Sequence, residues 1–299
     1  MSRTPKAKAL GAALRQAREE KQMLLREVGA AIDRDIGMIS RWETGERAPK
    51  PEQVAQILAT LGIQGKRYEE IMTLAYGTNE SQWVATTLPE QKQQMVAYLD
   101  WEQNARRIVE VAPLLVPGIL QTSDYIRAIM TNPGSGVPAG EVASRVATRI
   151  GRREVITKHN PAKLLVLLGQ AALTQEVGGR QTMIGQLRFL LEMAARPNIE
   201  LRIVPDRRGW HPGLEGEFAL IEAPRITAGN GSSARRAPAI LESIVFVGNR
   251  RTVLMLHEDP DVDAYKQAID SITKVCLPLD KSSVFITELA NRMEKNRGY

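Results

Sequence analysis

The chain has 299 residues, of which 40 are basic and 34 acidic, and a formal net charge of +6. At about 150 residues per domain, this length predicts two domains and excludes a single small module. A composition of 43% hydrophobic and 25% charged residues excludes wholesale disorder, a collagen repeat and a coiled-coil rod. The single cysteine, Cys276, excludes an intrachain disulfide and a cysteine-rich zinc site, so we expect a buried structural thiol.

The apolar runs of the chain are short. No apolar stretch follows the basic residues among the first ten positions, which a secretory signal would require. The longest apolar runs, 111–116 and 164–168, fall well below the roughly 20 residues that span a bilayer. We therefore expect a cytoplasmic protein with no export signal and no contact with a membrane.

The first 76 residues predict five short helices. Apolar residues recur at helical spacing in three stretches, which begin at Leu10, Val54 and Tyr68. Two shorter candidates, Leu25–Ile32 and Ile36–Thr44, lie between the first and second stretches and are separated by three residues. Two short helices joined by about three residues are typical of a helix-turn-helix.

The remaining residues predict a mixture of helices and strands. Helical spacing marks 89–110, 123–130, 141–158, 182–195, 261–273 and 282–295. Short apolar or alternating runs mark strands at 164–168, 199–204, 217–221 and 252–256. We therefore predict a mainly α, five-helix, repressor-like helix-turn-helix domain at 1–80 and an α+β domain at 81–299.

The second helix of the helix-turn-helix has the pattern of a recognition helix. Ile39 and Trp42 are three residues apart and predict a core-facing side, whereas Gly37, Ser40 and Arg41 face outward. A small residue near the exposed N-terminus of the helix allows close approach to the floor of the major groove. An arginine one turn later can donate two hydrogen bonds to a guanine edge, so Arg41 is the strongest candidate for reading bases.

Residues 10–51 also carry a family resemblance. The run Ile39-Ser40-Arg41-Trp42-Glu43-Thr44-Gly45, followed by Arg47 and Pro49, resembles the helix-turn-helix domain of Cro and cI-type repressors, the xenobiotic-response-element family. The resemblance implies three sets of residues: base-reading positions at Ile36, Gly37 and Arg41, phosphate contacts at Thr44, Arg47 and Lys50, and a buried ion pair between Arg18 and Glu43.

Two lysines at the start of the chain leave alternatives open. Lys6 and Lys8 precede the apolar stripe of the first helix, and no acidic residue occurs before Glu19. They fit either a basic arm that contacts DNA phosphates or a soluble tail.

A second resemblance covers the larger domain. The segment Val111–Tyr125 contains Pro117-Gly118-Ile119-Leu120-Gln121-Thr122. It is similar to the Pro-Gly-Leu-Leu-Gln-Thr signature of an uncharacterised domain that follows repressor-like domains in actinomycete regulators, including developmental regulators of the WhiJ type. Such regulators are often encoded beside a small protein and act with it as a repressor or antitoxin. The resemblance therefore implies a protein partner.

Four arginines are spaced along the predicted helix 141–158. Arg145, Arg149, Arg152 and Arg153 fall on one helical face. The face fits either a solvated surface or a contact with an acidic partner or with DNA phosphates. Together with Tyr125 it is the candidate partner or effector surface.

Catalytic motifs are absent from the sequence. The three histidines are scattered, and His257-Glu258 lacks a second histidine at the spacing of a metalloprotease and is followed by Pro260. No Walker loop and no nucleophile elbow occurs. We expect no catalytic residues, no metal, no cofactor and no enzyme activity.

These observations predict a transcriptional regulator of the nucleoid, a homodimeric repressor that binds a palindromic operator in double-stranded DNA. Dimerisation is expected because one recognition helix reads only a few base pairs. One alternative is an antitoxin-like protein whose main task is to bind a small toxin-like partner, with DNA binding for autoregulation. Another is a small-molecule sensor that uses a pocket in the α+β domain.

Overall fold

The computed structural model describes residues 4–78, 82–85, 88–224, 241–248 and 253–295. The chain forms two compact units. The first contains Met1–Trp101 and Pro224–Val262, and the second contains Glu102–Ala223 and Asp263–Tyr299. The domain boundary near residue 80 stays a prediction; the compact units group the described residues 82–85, 88–101 and 241–248 with the N-terminal helices.

The N-terminal part of the first unit is a bundle of five helices, as predicted. They are α1 (Pro5–Glu20), α2 (Leu25–Ala31), α3 (Ile36–Glu43), α4 (Pro51–Thr60) and α5 (Gly65–Ala75). Their apolar stripes meet in a core that includes Leu10, Leu14, Ile39, Trp42 and Leu58. Thr4 starts α1, because its side-chain oxygen accepts a hydrogen bond from the Ala7 N–H at 3.0 Å.

Helix α1 packs very closely on α3 at Gly11. A Cβ at this position would lie 2.7 Å from the carbonyl oxygen of Glu43 and 2.5 Å from that of Trp42. Glycine is therefore required here for the approach of the two backbones, although it is a poor helix former.

The first unit also contains α6 (Leu88–Gln103) and three strands, β1 (Gln82–Ala85), β6 (Leu241–Gly248) and β7 (Val253–Leu256). β7 pairs antiparallel with both β1 and β6. The ring of Tyr98 in α6 lies 4.5 Å from the ring of Phe246 in β6. These contacts explain why a segment so late in the chain belongs to the first unit.

The second unit is built on four strands. They are β2 (Arg107–Ala112), β3 (Lys163–Gly169), β4 (Ile199–Val204) and β5 (Phe218–Pro224). β3 lies between β2 and β4 and is parallel to both, and β5 is antiparallel to β2. The apolar run at 164–168 fits this position, because a parallel strand inside a sheet is buried on both faces.

Among the described residues, seven helices lie wholly or mostly in the second unit: α7 (Ser123–Thr131), α8 (Val142–Gly151), α9 (Glu154–Thr157), α10 (Gln170–Thr174), α11 (Arg180–Ala194), α12 (Asp259–Val275) and α13 (Leu279–Lys295). The α+β prediction is confirmed, with two corrections. The helix predicted at 89–110 ends at Gln103, and its last residues form β2, where Ile108 and Val109 are fully buried. The helix predicted at 141–158 is divided into α8 and α9.

Candidate nucleic-acid interface

Helices α2 and α3 are joined by a tight turn. Asp33 has a left-handed backbone, with φ of 54°, and the Arg34 N–H donates to the Gly29 carbonyl at 2.8 Å. Asp35 begins α3, because its Oδ1 accepts a hydrogen bond from the Met38 N–H at 2.9 Å. The local sequence thus fixes the angle at which α3 leaves the turn.

The two sides of α3 differ as predicted from their spacing. Ile39 and Trp42 are buried in the bundle core. Ile36 is 47% exposed, and Gly37, Ser40 and Arg41 are partly exposed. The predicted base-reading residues therefore lie together on the open side of the helix.

Arg41 extends back along α3 towards the start of the helix. Its Nη2 lies 3.9 Å from Oδ1 of Asp35, which makes a long ion pair between two exposed groups. Its Nη1 lies beside Gly37, where a Cβ would approach to 3.1 Å. The absence of a side chain at Gly37 leaves room for this arrangement, and a partly exposed pair of this kind is weak and easily exchanged.

Arg18 of α1 and Glu43 of α3 form a two-pronged ion pair. The Nε and Nη2 of Arg18 donate to the two carboxylate oxygens of Glu43 at 2.7 and 2.8 Å. The side chains are only 12% and 5% exposed, and hydrogen bonding to Glu43 raises the pKa of Arg18. The pair ties the C-terminal end of α3 to α1 and so positions the helix.

The candidate phosphate contacts lie between α3 and α4. Thr44 ends α3, and its hydroxyl donates to the Arg41 carbonyl at 3.3 Å. Arg47 and Lys50 are exposed. Both cations follow α3 in the chain and are open to solvent, as a phosphate contact requires.

The surroundings of Lys8 differ from those expected. Lys6 and Lys8 lie inside α1, which begins at Pro5, and so form neither a basic arm nor a tail. The ammonium of Lys8 lies 2.5 Å from a carboxylate oxygen of Glu242 and 3.5 Å from the ring centre of Trp101. The charge of Lys8 is therefore paired within the first unit, whereas Lys6 is partly exposed.

Tyr125, expected at a partner or effector surface of the second unit, is not at the surface. It is fully buried, its hydroxyl accepts a hydrogen bond from the Val116 N–H at 3.4 Å, and burial raises its pKa. Arg152 forms a two-pronged ion pair at 2.7 Å with Glu102, which is also buried. Tyr125 and Arg152 both face the interior of the second unit, so the prediction that they form a partner or effector surface was wrong.

The other three arginines divide between interior and surface. Arg149 donates to the side-chain oxygen of Gln121 at 3.0 Å, and its burial lowers the pKa of its guanidinium. Arg153 donates to the backbone oxygen of Gln121 at 2.7 Å and lies over the ring of Phe189 at 4.3 Å. Arg145 alone of the four is exposed, paired with Glu141. Helical spacing could not reveal these internal acceptors.

Two buried glutamines organise this interior, and the sequence analysis did not single them out. Gln121 also donates to the Val116 carbonyl at 2.7 Å. Gln186 of α11 donates to the Leu120 carbonyl at 2.7 Å and accepts from the Thr122 N–H at 2.8 Å. The segment that resembles a family signature is therefore held by side-chain amides. The available signals were the place of Gln121 in that signature and of Gln186 in an apolar helix.

The described ranges contain neither a cluster of metal ligands nor a membrane-spanning helix. Within those ranges, no three histidine, cysteine, aspartate or glutamate side chains come together as a metal site would require. None of the helices described combines the length and the apolar character needed to cross a membrane.

Comparison with protein families gives two matches. Residues 9–70 match a profile described as a helix-turn-helix domain. Residues 95–288, which are 194 of the 299 residues, match a profile described as a domain of unknown function, DUF5753. No curated protein and no solved structure matches the chain significantly.

Proposed function

The chain belongs to the family of the domain of unknown function DUF5753 and carries a helix-turn-helix domain, and from this premise we propose that it is a sequence-specific repressor. A helix-turn-helix domain makes the protein a DNA-binding regulator. In the proposed function it binds as a homodimer to a palindromic operator in the nucleoid. The larger domain adjusts this binding in response to an effector.

The position of Arg41 on α3 is the observation that carries the proposal. The residue is partly exposed, it lies over Gly37, and it forms a long ion pair with the exposed Asp35. With a small residue at the start of the helix, α3 lies close to the floor of the major groove, and Arg41 exchanges Asp35 for the O6 and N7 atoms of a guanine. Ile36 and Ser40 contact the neighbouring base pairs.

Phosphate contacts orient this helix. Arg47 and Lys50 are exposed beside α3 and bind phosphates together with the hydroxyl of Thr44. Lys6 adds charge from the first turn of α1. Arg18 and Glu43 act indirectly, because their ion pair fixes the recognition helix against α1.

The homodimer follows from the size of the recognition helix. A helix such as α3 reads only a few base pairs, and two copies related by a dyad read half-sites about one helical turn apart. Sequences selected from a random duplex pool by the full chain should therefore have two-fold symmetry. Their binding should require two protomers, measured by sedimentation equilibrium.

Variants of Arg41 test the base-reading role. On the selected sequence, Arg41→Ala should weaken binding by about 5- to 150-fold, the equivalent of about 1–3 kcal/mol for one lost bidentate contact. Arg41→Lys should retain the charge and lose the preference for guanine at that position. The matched control is Arg67→Ala in α5, which removes another partly exposed arginine paired with a glutamate. Sequence-specific binding of normal strength by Arg41→Ala would refute the assignment.

A salt titration tests the phosphate contacts separately. Each phosphate neutralised by the protein contributes about −0.9 to the slope of log affinity against log salt. Lys50→Ala should therefore lower the slope by about one while leaving the preferred sequence unchanged. An unaltered slope would place Lys50 away from the DNA.

We propose an effector rather than a toxin-like partner as the input to the second unit. The arginine face that was expected to bind an acidic partner is largely engaged within the unit. Arg152 pairs with Glu102, and Arg153 donates to the backbone oxygen of Gln121. Arg145 alone remains exposed among the four. Capture of a small neighbouring protein by the full chain, with 1:1 stoichiometry and no response to small molecules, would favour the antitoxin alternative instead.

A further inference from the structure

A cavity of about 370 Å³ lies inside the second unit. It opens where the three parallel strands end, with lining residues Val111 of β2, Leu167 and Gly169 of β3 and Val204 of β4. The carboxyl ends of parallel strands are where open α/β sheets bind their ligands. The volume also lies in the lower part of the range found for small-molecule sites.

Gly169 is required for the shape of this cavity. A Cβ at Gly169 would overlap the carbonyl group of Pro113. The end of β3 and the segment after β2 therefore run in direct backbone contact in the wall of the cavity.

The walls of the cavity are mainly apolar, and apolar residues continue to its edge. Leu167 and Ile272 contribute buried surface, whereas Leu114 and Leu214 are 66% and 61% exposed. Large leucines exposed around a concave site are unfavourable in water unless another apolar group covers them. The occupant is therefore expected to have an apolar body.

One buried polar side chain lies among these apolar groups. His211 lines the cavity and is only 8% exposed. Its Nδ1 has no hydrogen-bond partner among the described residues, and it lies next to Gly213, where a Cβ would approach to 3.0 Å. Buried nitrogen atoms are normally paired, so an unpaired one in a cavity wall indicates a ligand group.

The segment that follows β4 adds positive charge to the opening. Arg207 and Arg208 line the cavity, are exposed, and form no ion pair within the described part of the chain. Among the described lining residues, Asp206 is the one acid, and its backbone N–H donates to the side-chain oxygen of Gln170 at 3.3 Å. Arg207 has a left-handed backbone, with φ of 66°, which for a non-glycine residue is a strained turn found at functional sites.

From this arrangement we propose that the cavity binds a small organic acid. The apolar body of the acid fills the space between the strand ends and Ile272. Its carboxylate pairs with Arg207 and Arg208, and the imidazole of His211 hydrogen bonds to it. The proposal that this acid is the effector rests on the proposed function, whereas the binding itself does not.

Calorimetric titration of the full chain tests the binding. Octanoate and phenylacetate are the probes, each compared with the alcohol of the same skeleton, octan-1-ol and 2-phenylethanol. At least one acid should bind at least tenfold more tightly than its alcohol. Absence of binding by both acids at millimolar concentration, or equal binding of acids and alcohols, would overturn the proposal.

Three variants locate the site. Replacement of Arg207 and Arg208 by glutamine should weaken acid binding at least tenfold, and Ala171→Leu, which adds bulk to a lining residue, should abolish it. Arg127→Gln changes an exposed arginine of α7 outside the lining and should have no effect. If Ala171→Leu binds normally while folded by circular dichroism, the acid binds elsewhere and the proposal fails.

Fluorescence and DNA binding then separate ligand binding from regulation. Trp210, beside His211, is exposed, whereas Trp42, Trp83 and Trp101 are buried, so acrylamide quenching reports mainly on Trp210 and should fall when the acid binds. The acid should also change the affinity for the selected DNA. Binding without that change overturns the effector role alone. Failure to bind any DNA, with or without the acid, overturns the proposed function and leaves the calorimetric result standing.

Discussion

Replacement of Glu43 by alanine should weaken the packing of α3 against α1. The mutation leaves the guanidinium of Arg18, only 12% exposed, without its carboxylate. Breaking a buried ion pair in this way costs about 3–5 kcal/mol. We expect the lower value, about 3 kcal/mol, because Arg18 retains its 3.0 Å hydrogen bond to the Met23 carbonyl. At about 1.4 kcal/mol per tenfold change, this is an increase of more than a hundredfold in local opening.

Hydrogen–deuterium exchange of the full chain measures this opening directly. Peptides from α1 and α3 should exchange about a hundredfold faster in Glu43→Ala, whereas those from α11 should not change, because α11 belongs to the second unit. Glu52→Ala removes an exposed acid from α4 and should change exchange less than about threefold.

The double replacement of Arg18 by methionine and Glu43 by leucine completes the test. Removing both charges avoids an unpaired buried cation, so most of the lost protection should return. If Glu43→Ala changes exchange in α3 by less than about fivefold, the pair contributes little and our account of how the recognition helix is held is wrong.

Two other predictions concern stability and reactivity. Gly11→Ala should lower the melting temperature measured by calorimetry, because the close contact of the added methyl group with the backbone of Glu43 outweighs the higher helix propensity of alanine. Gly185→Ala adds a methyl group in open space on α11 and should stabilise the protein by about 0.5–1 kcal/mol. Equal effects of the two substitutions would contradict this reasoning. Burial raises the pKa of Cys276 to about 11, so its thiol stays protonated at pH 8. Iodoacetamide should react about a hundredfold more slowly than with a free cysteine, faster as pH rises; an equal rate would contradict burial.

Periodicity predicted most of the fold because it follows from burial on one side of an element. The stripe starting at Leu10 and the pair Ile39 and Trp42 pointed to the core, and the structure buries them. The same reasoning failed at Ile108, whose spacing from preceding apolar residues fits a helix. Pairing with β3 and β5 makes it a strand, and contacts between residues more than 50 positions apart leave no local trace.

Prediction of the candidate sites depended on the range of the contacts. Arg41 was identified because its neighbours on one helix define its exposure. Arg152 and Arg153, which join α8 to α9, could not be interpreted in this way. Their acceptors, Glu102 and Gln121, lie 50 and 32 positions away from them. The cavity could not be predicted from the sequence for the same reason, since three strand ends and the loops after them assemble it.

Gln186 makes the second unit sensitive to the loss of a single hydrogen-bond donor. Its amide supplies both a donor for the Leu120 carbonyl and an acceptor for the Thr122 N–H, as one peptide unit of a neighbouring strand would. Deamidation would convert this side chain to a glutamate, and a carboxylate oxygen would then face the Leu120 carbonyl. The loss of one donor would release the segment that carries Gln121, on which Arg149 and Arg153 depend. Hydrolysis of one buried amide in α11 would thus disturb the hydrogen bonds that Gln121 makes with two arginines.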